Sequence, residues 1–198
     1  MAQQQVAVLL QQAVNGDLEG CLQGLKKLSE GAGPERENQN SFKARVSIEL
    51  QRVFDEKLEA ELSTEELGKF LNIAKSLSDA HVAHEAQTLQ IFADLFDART
   101  IEDCKKYWTI LEENQQRLVP VEQLRGSLRA ELLLLQLSNA LLARLSKVID
   151  TNFSGRIQLF LSRLLPLDHK ASLNLSGNFN SQNVTAFENS TDDNEVCL

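Results

Sequence analysis

The residue group best suited to bind a metal ion consists of His81, His84 and Glu85. Helical periodicity predicts that His81 and Glu85 share one helix face, because they lie about one turn apart. A zinc ion needs three or four converging ligands, and no cysteine or further histidine is nearby in the sequence. A solvent-exposed helix face is therefore the better interpretation, and we expect no metal ion and no other cofactor.

The residues that could support nucleophilic catalysis are also poorly arranged. His169 follows Asp168 directly, but the pair comes after Pro166 and no predicted strand would hold a nucleophile beside it. The sequence contains no Gly-x-Ser-x-Gly turn and no glycine-rich loop ending in lysine and serine or threonine. We therefore expect that the protein is not an enzyme.

The cysteines and the apolar segments indicate an intracellular protein without a membrane anchor. Cys21, Cys104 and Cys197 are far apart and show no paired metal-binding or redox spacing. The first residues lack the positive flank of a secretory signal or a transit peptide. Apolar runs such as 132–135 are far shorter than the roughly 20 residues that span a bilayer. We expect reduced thiols and no membrane attachment.

Apolar residues recur at three- and four-residue steps along most of the chain, which predicts helices and no strands. Two short helices are expected first, followed by a loop over 29–40 that is rich in glycine and charge. The main body then begins at Ser41, and one of its helices is expected to start at Asp79. Four aromatic residues at inward positions are expected in the core rather than on a base-stacking surface: Phe70, Phe92, Phe96 and Trp108.

Local signals predict where several helices begin and end. Ser63 with Glu66 has the spacing of a capping box, and Thr100 with Asp103 repeats this start signal. Pro120 is expected to end a helix.

The leucine-rich segment 121–149 predicts a long helix with a break near Gly126 or Asn139. The leucines at helical steps within it are Leu124, Leu128, Leu132, Leu135, Leu142 and Leu145.

These elements predict an all-α protein, an irregular antiparallel helical array similar to a HEAT-type stack. We expect short helices and a loop over 1–40, a helical core domain over 41–166, and a polar, loosely ordered tail over 167–198. The tail is rich in asparagine, serine and threonine, and it has no lysine or arginine after Lys170.

Charge is distributed unevenly along the sequence. The net charge is −8, yet the segment 117–170 carries eight basic and four acidic residues. A stand-alone nucleic-acid-binding protein normally concentrates positive charge to release counterions from phosphates. The overall acidity therefore argues against that class, while a local contact near Arg156 and Arg163 stays open.

The segment 141–187 carries the strongest family signature. It contains LLARLSK, then GRIQLFLSRLLPL, and then LNL, FN and NVTAF. In this order the pieces resemble the N-terminal elongation-factor region of the THO complex subunit 1 family. From Phe42 to Ser138 the chain agrees with that family only in its helical layout, and members of the family are much longer.

The resemblance implies a non-enzymatic helical subunit of the nuclear THO/TREX assembly. Such a subunit joins the large scaffold subunit of THO and helps to couple transcription elongation to mRNA processing and export. Contact with RNA would be indirect, through the complex. Two alternatives remain at this point: a helical-repeat adaptor outside the nucleus, and a small cytoplasmic enzyme without a recognisable site.

The helix within the signature offers a partner-binding edge. Ile157, Phe160, Leu161 and Leu164 form its apolar stripe, and Arg156 and Arg163 flank the stripe seven residues apart. Packing as the last core helix is the first interpretation. Docking to an acidic partner is the second, and its predicted partner-binding residues are Arg156, Arg163, Gln158 and Phe160.

We predict that the isolated chain self-associates. If the chain is the N-terminal part of a longer array, its leucine-rich final helices lack the polar outer face that terminal repeats normally carry. Light scattering over a concentration series should show a mass that increases with concentration. A monodisperse monomer at high concentration would contradict the prediction.

Overall fold

The computed structural model describes residues 2–31, 33, 35–59, 62–146, 148–166 and 169. Within these residues the protein is all α-helical, as predicted. The helices are α1 (Ala2–Val14), α2 (Leu18–Gly31), α3 (Arg36–Glu59), α4 (Thr64–Asp79), α5 (Gln87–Ala98), α6 (Ile101–Glu113), α7 (Gln115–Leu118), α8 (Val121–Gly126), α9 (Leu128–Arg144) and α10 (Thr151–Leu164).

The first two helices form a close hairpin that joins the main core. Gly16, at φ +114°, lies just beyond the end of α1, where a left-handed conformation favours glycine. Gly24 on α2 lets the helices approach, because a Cβ there would lie 2.7 Å from a methyl carbon of Leu9. Val6 and Leu10 are buried in the same cluster as the residues of α3 and α4, so the hairpin adds to one continuous core.

The connection between α2 and α3 is shorter than the predicted loop over 29–40. Gln39 fixes it: its Nε2 atom donates to the carbonyl oxygens of Ser29, at 2.9 Å, and Gly33, at 2.8 Å. The Ser29 hydroxyl donates in return to Gln39 Oε1 at 2.8 Å. These bonds satisfy backbone groups at the turn, so α3 begins at Arg36 rather than at the expected Ser41.

The predicted capping signals are confirmed. Ser63 caps α4, since its hydroxyl accepts from the Glu66 backbone N–H while the Glu66 carboxylate accepts from the Ser63 N–H. These bonds with Ser63 hold the pKa of Glu66 below its usual range. Thr100 caps α6 by accepting from the Asp103 N–H at 3.3 Å. Pro120 lies between α7 and α8.

The segment after Asp79 is a turn, so the prediction of a helix starting there is wrong. α4 continues to Asp79, and α5 begins only at Gln87. His81 adopts φ +58°, a left-handed conformation that a helix cannot contain. The turn is fixed by a bond from the Ser78 hydroxyl to the His84 carbonyl, at 3.1 Å.

The leucine-rich segment breaks at Ser127, directly after Gly126, as one of the two predicted positions implied. The leucines at helical steps do not all lie on the face that α9 buries. Leu128 and Leu132 are exposed, whereas the residues packed into the core are Ala130, Leu134, Leu137, Ser138 and Leu141. Packing against α5 selects this face. Arg144 at the end of α9 donates to the carbonyl oxygens of Phe96 and Arg99 and so satisfies backbone groups at the end of α5.

The aromatic residues and the described cysteines lie in the interior. The four aromatic residues predicted for the core are all buried. Cys21 and Cys104 are free and buried. Burial, with a smaller contribution from the Asp17 carboxylate, raises the pKa of Cys21 to about 11. Burial likewise raises the pKa of Cys104.

The chain divides into two units, Met1–Leu165 and Pro166–Leu198. The first contains all ten described helices, none of which is both long and apolar enough to cross a bilayer. The second is almost entirely outside the described residues, as are Cys197 and the predicted polar tail. A HEAT-like arrangement and the boundaries near 40 and 166 stay predictions.

We predict that Ser63→Ala lowers the free energy of unfolding by about 1 kcal/mol, because the orphan N–H of Glu66 loses its acceptor. Urea unfolding followed by circular dichroism measures this change. Ser127→Ala is the matched control, since Ser127 caps α9 without a side-chain bond. The control should change stability by less than about 0.5 kcal/mol. Equal losses in both variants would contradict the assigned role of the capping box.

Candidate functional site

The predicted partner-binding residues all lie on α10, whose inner face is apolar. Phe153, Ile157, Phe160 and Leu164 follow one another at steps of four, three and four residues, and all four are buried. The helix begins at Thr151 and ends at Leu164, two residues before Pro166.

The aromatic side chains of α10 pack on the indole of Trp108 in α6. The ring centroids of Trp108 and Phe160 are 5.2 Å apart with the planes at 69°, an edge-to-face arrangement. Phe153 approaches the same indole at 6.2 Å and 82°. Phe96 of α5 completes the cluster at 5.8 Å from the indole. Edge-to-face pairs are favoured by the ring quadrupole, so the cluster joins three helices with defined geometry.

Glu112 connects Trp108 and Arg156 through both of its carboxylate oxygens. Trp108 Nε1 donates to Glu112 Oε1 at 3.0 Å, and Arg156 Nη2 donates to Glu112 Oε2 at 2.5 Å. Arg156 also donates to the Thr109 hydroxyl at 3.0 Å. The guanidinium carbon lies 6.0 Å from the centroid of the Phe153 ring. Arg156 therefore orients α10 on α6.

A second ion pair holds the start of α10. Lys105 Nζ lies 2.9 Å from an Asp150 carboxylate oxygen, and the other oxygen accepts from the Ser146 N–H at 3.1 Å. The bonds from Lys105 and Ser146 hold the pKa of Asp150 below its usual range. The bonds that Lys105 makes, chiefly to Glu102 and then to Asp150, raise its own pKa. Both ends of the contact between α6 and α10 thus carry a charge pair.

The outward face of α10 is formed by Gln158, Leu159 and Arg163, all of which are exposed. Phe160 is buried, and the Arg156 side chain is 36% exposed within its ion pair. The structure therefore does not bring Arg156 and Arg163 together as one free basic edge. Sequence reasoning also missed Leu159, which is 58% exposed although it lies in an apolar helix. Leu159 lies outside the predicted apolar stripe of α10, and this position could have indicated its exposure.

The possible metal ligands do not converge. Among the residues that the structure describes, no group of three histidine, cysteine or acidic side chains could hold a metal ion. His81, His84 and Glu85 lie on the turn between α4 and α5, so they do not share a helix face. Burial, followed by the charges of Arg129 and Lys43, lowers the pKa of His84. The pair at 168 and 169 lies partly outside the described residues, since Asp168 is not among them.

The chain is an all-α protein, and the surfaces it could use to bind a partner are the exposed faces of its helices. A family model described as THO complex subunit 1 transcription elongation factor matches residues 67–196. This match covers well over half of the sequence, and the chain belongs to that family. The matched region takes in most of α4 and all of α5–α10, so the Trp108 cluster lies inside it.

Three curated relatives are each named THO complex subunit 1. The chain is 30% identical to the Mus musculus protein and 29% identical to the Homo sapiens protein, in each case over 150 residues and 76% of its own length. It is 32% identical to the Arabidopsis thaliana protein over 118 residues and 60% of its length. The aligned parts span only 22%, 22% and 19% of these relatives. No solved structure matches the chain.

We predict that Phe160→Ala lowers the free energy of unfolding by about 3–5 kcal/mol, because the substitution leaves a cavity beside Trp108. Arg163→Ala, at an exposed position that flanks the apolar stripe of α10, should change stability by less than about 0.5 kcal/mol. Urea unfolding followed by Trp108 fluorescence measures both changes, since Trp108 is the single tryptophan. A loss below about 1 kcal/mol for Phe160→Ala would show that α10 is not packed as described.

Proposed function

We propose that the chain acts as a non-enzymatic interaction subunit of the THO/TREX assembly in the nucleus. The observation that carries this proposal is the family match over 67–196, together with relatives named THO complex subunit 1 in animals and a plant. In this role the chain would help to couple transcription elongation to mRNA processing and nuclear export. Its partners would be THO subunits, chiefly the large scaffold subunit, and contact with RNA would be indirect.

The charge pattern and the fold are compatible with this role. An acidic protein with a basic section at 117–170 is suited to selective contact with acidic protein surfaces rather than to general phosphate binding. The helix faces provide surfaces for docking, which is what an interaction subunit needs. The alternative, a helical-repeat adaptor outside the nucleus, uses the same faces and differs in its partners and its location.

Within the proposed function, α10 supplies the contact with the scaffold subunit. Gln158 and Arg163 would touch the partner directly, since both are exposed. Arg156 and Phe160 would act mainly by fixing the helix on α6, through Glu112 and Trp108 respectively. Arg163 keeps its charge at all physiological pH values and offers a planar fork suited to a carboxylate.

We predict that Arg163→Glu weakens co-purification of the large THO scaffold subunit with the tagged chain from nuclear extract. The substitution places like charges at the contact with an acidic surface, which lowers the association rate and the affinity. Quantitative mass spectrometry of the purified complex measures the effect. Arg156→Glu is unsuitable for this test, because it would place a second carboxylate against Glu112 and disturb the fold.

Arg125→Glu is the matched control, since Arg125 is exposed at the end of α8. This variant should retain the scaffold subunit at the level of the parent chain. If the parent chain is well expressed and THO subunits are absent from its complex, the proposed function is wrong. If THO subunits are retained equally by both variants, the function stands and the role of α10 is wrong.

A further inference from the structure

A surface groove of the first unit that no residue of α10 lines has features of a docking site. It runs over α5, which packs against both α3 and α9, and it consists of two adjoining depressions of about 130 and 440 Å³. Gln90 of α5 and Arg129 of α9 line both depressions, so the two are continuous. We call this surface, bounded by α3 and α9, the α5 groove.

The walls of the α5 groove expose large apolar side chains. Ile48 on α3 is 61% exposed, and Leu128 and Leu132 on α9 are 66% and 45% exposed. Leu128 and Leu132 lie four residues apart, so they project on the same side of α9. Both walls of the groove therefore offer apolar contact to a ligand. Single apolar residues scattered over a surface would not form such a continuous contact.

The floor of the α5 groove is polar and fixed. Gln51 and Gln90 donate through their Nε2 atoms to the two oxygens of Asp94, at 2.8 and 3.0 Å. Gln87, which is 97% buried, turns its Nε2 atom to the Ser47 carbonyl at 3.5 Å. These bonds use the amide donors inside the protein and leave the amide oxygens as acceptors.

The charge at the α9 wall is positive. Arg129 is exposed, and within the described residues it has no ion-pair or hydrogen-bond partner. Lys43 of α3 and His84 of the preceding turn are its basic neighbours, while Glu85 and the half-buried Asp94 supply the nearby negative charge. Burial is the main cause that lowers the pKa of His84, and the positive charges of Arg129 and Lys43 lower it further.

We propose that the α5 groove binds an amphipathic helix from a protein partner, with an acidic side chain of that helix paired to Arg129. The apolar side of such a helix, at spacings of three and four residues, would cover Ile48, Leu128 and Leu132. Its carboxylate would neutralise the charge of Arg129, which fixes the register of the helix. The proposal does not depend on membership of the THO assembly.

The first experiment places the photo-crosslinking residue p-benzoylphenylalanine at position 132 of the full chain, in nuclear extract. The matched control places it at position 159, where Leu159 is also an exposed leucine, on α10. Mass spectrometry then identifies the crosslinked segment. We expect one partner segment at position 132 that has helical apolar spacing and an acidic residue beside it, and that is absent from position 159.

The second experiment measures the affinity of a synthetic peptide with the sequence of that segment, by fluorescence anisotropy. Arg129→Glu and Leu132→Ser should each weaken binding at least ten-fold, and Leu159→Ser should leave it unchanged. Replacing the acidic residue of the peptide by lysine should weaken binding to the parent chain and improve it for Arg129→Glu. This reciprocal change separates a direct ion pair from a folding defect.

Three outcomes would overturn the proposal. Crosslinks of position 132 to a second copy of this chain would assign the groove to self-association. Equal crosslinking at positions 132 and 159 would show a nonspecific surface. A peptide that binds Arg129→Glu as tightly as the parent chain would exclude the ion pair. A segment from a protein outside THO would support the groove while counting against the proposed function, so the two can fail separately.

Discussion

The position of α10 depends on the buried indole of Trp108. Packing of Phe153 and Phe160 against that ring removes two large apolar side chains from water, and each such burial is worth roughly 2–3 kcal/mol. The ion pair between Arg156 and Glu112 is partly exposed, and a pair of this kind contributes at most about 1 kcal/mol. Apolar packing therefore supplies most of the stability of the contact. The two oxygens of Glu112 accept from Trp108 and Arg156 respectively, and these hydrogen bonds fix the orientation of α10 on α6.

The parts of the fold that could be predicted from sequence are those decided by neighbouring residues. The cap of α4 needs only Ser63 and Glu66, and the start of α6 needs only Thr100 and Asp103, so a local pattern suffices. The face that α9 buries is different. Leucines occur on nearly every side of that helix, and periodicity cannot choose among them. The partner helix α5 makes the choice, and it lies far away in sequence.

The same distinction applies to the candidate sites. The spacing of the apolar stripe was enough to place Phe160 on the α10 face that packs, and the structure buries it. The pairing of Arg156 could not be predicted, because Glu112 lies 44 residues earlier in the chain. The turn at His81 was missed because its left-handed conformation leaves no mark on the apolar pattern. The α5 groove was missed because the sequence alone does not distinguish an exposed leucine from a buried one. The distinction depends on how the helices pack.

Cys21 and Cys104 are buried, so the reactivity of their thiols depends on whether the surrounding helices stay packed. Burial raises the pKa of Cys21 to about 11, so its thiol stays protonated at neutral pH, whereas the thiolate is the nucleophile that attacks peroxide and disulfides. Neither sulfur is accessible while the helices remain packed. Oxidation at these two positions must therefore await opening of the helices around them, α1 and α2 near Cys21 and α5 and α6 near Cys104. The rate of thiol modification at each position would report how often that part of the unit opens. The two cysteines would thus measure local unfolding in two separate regions.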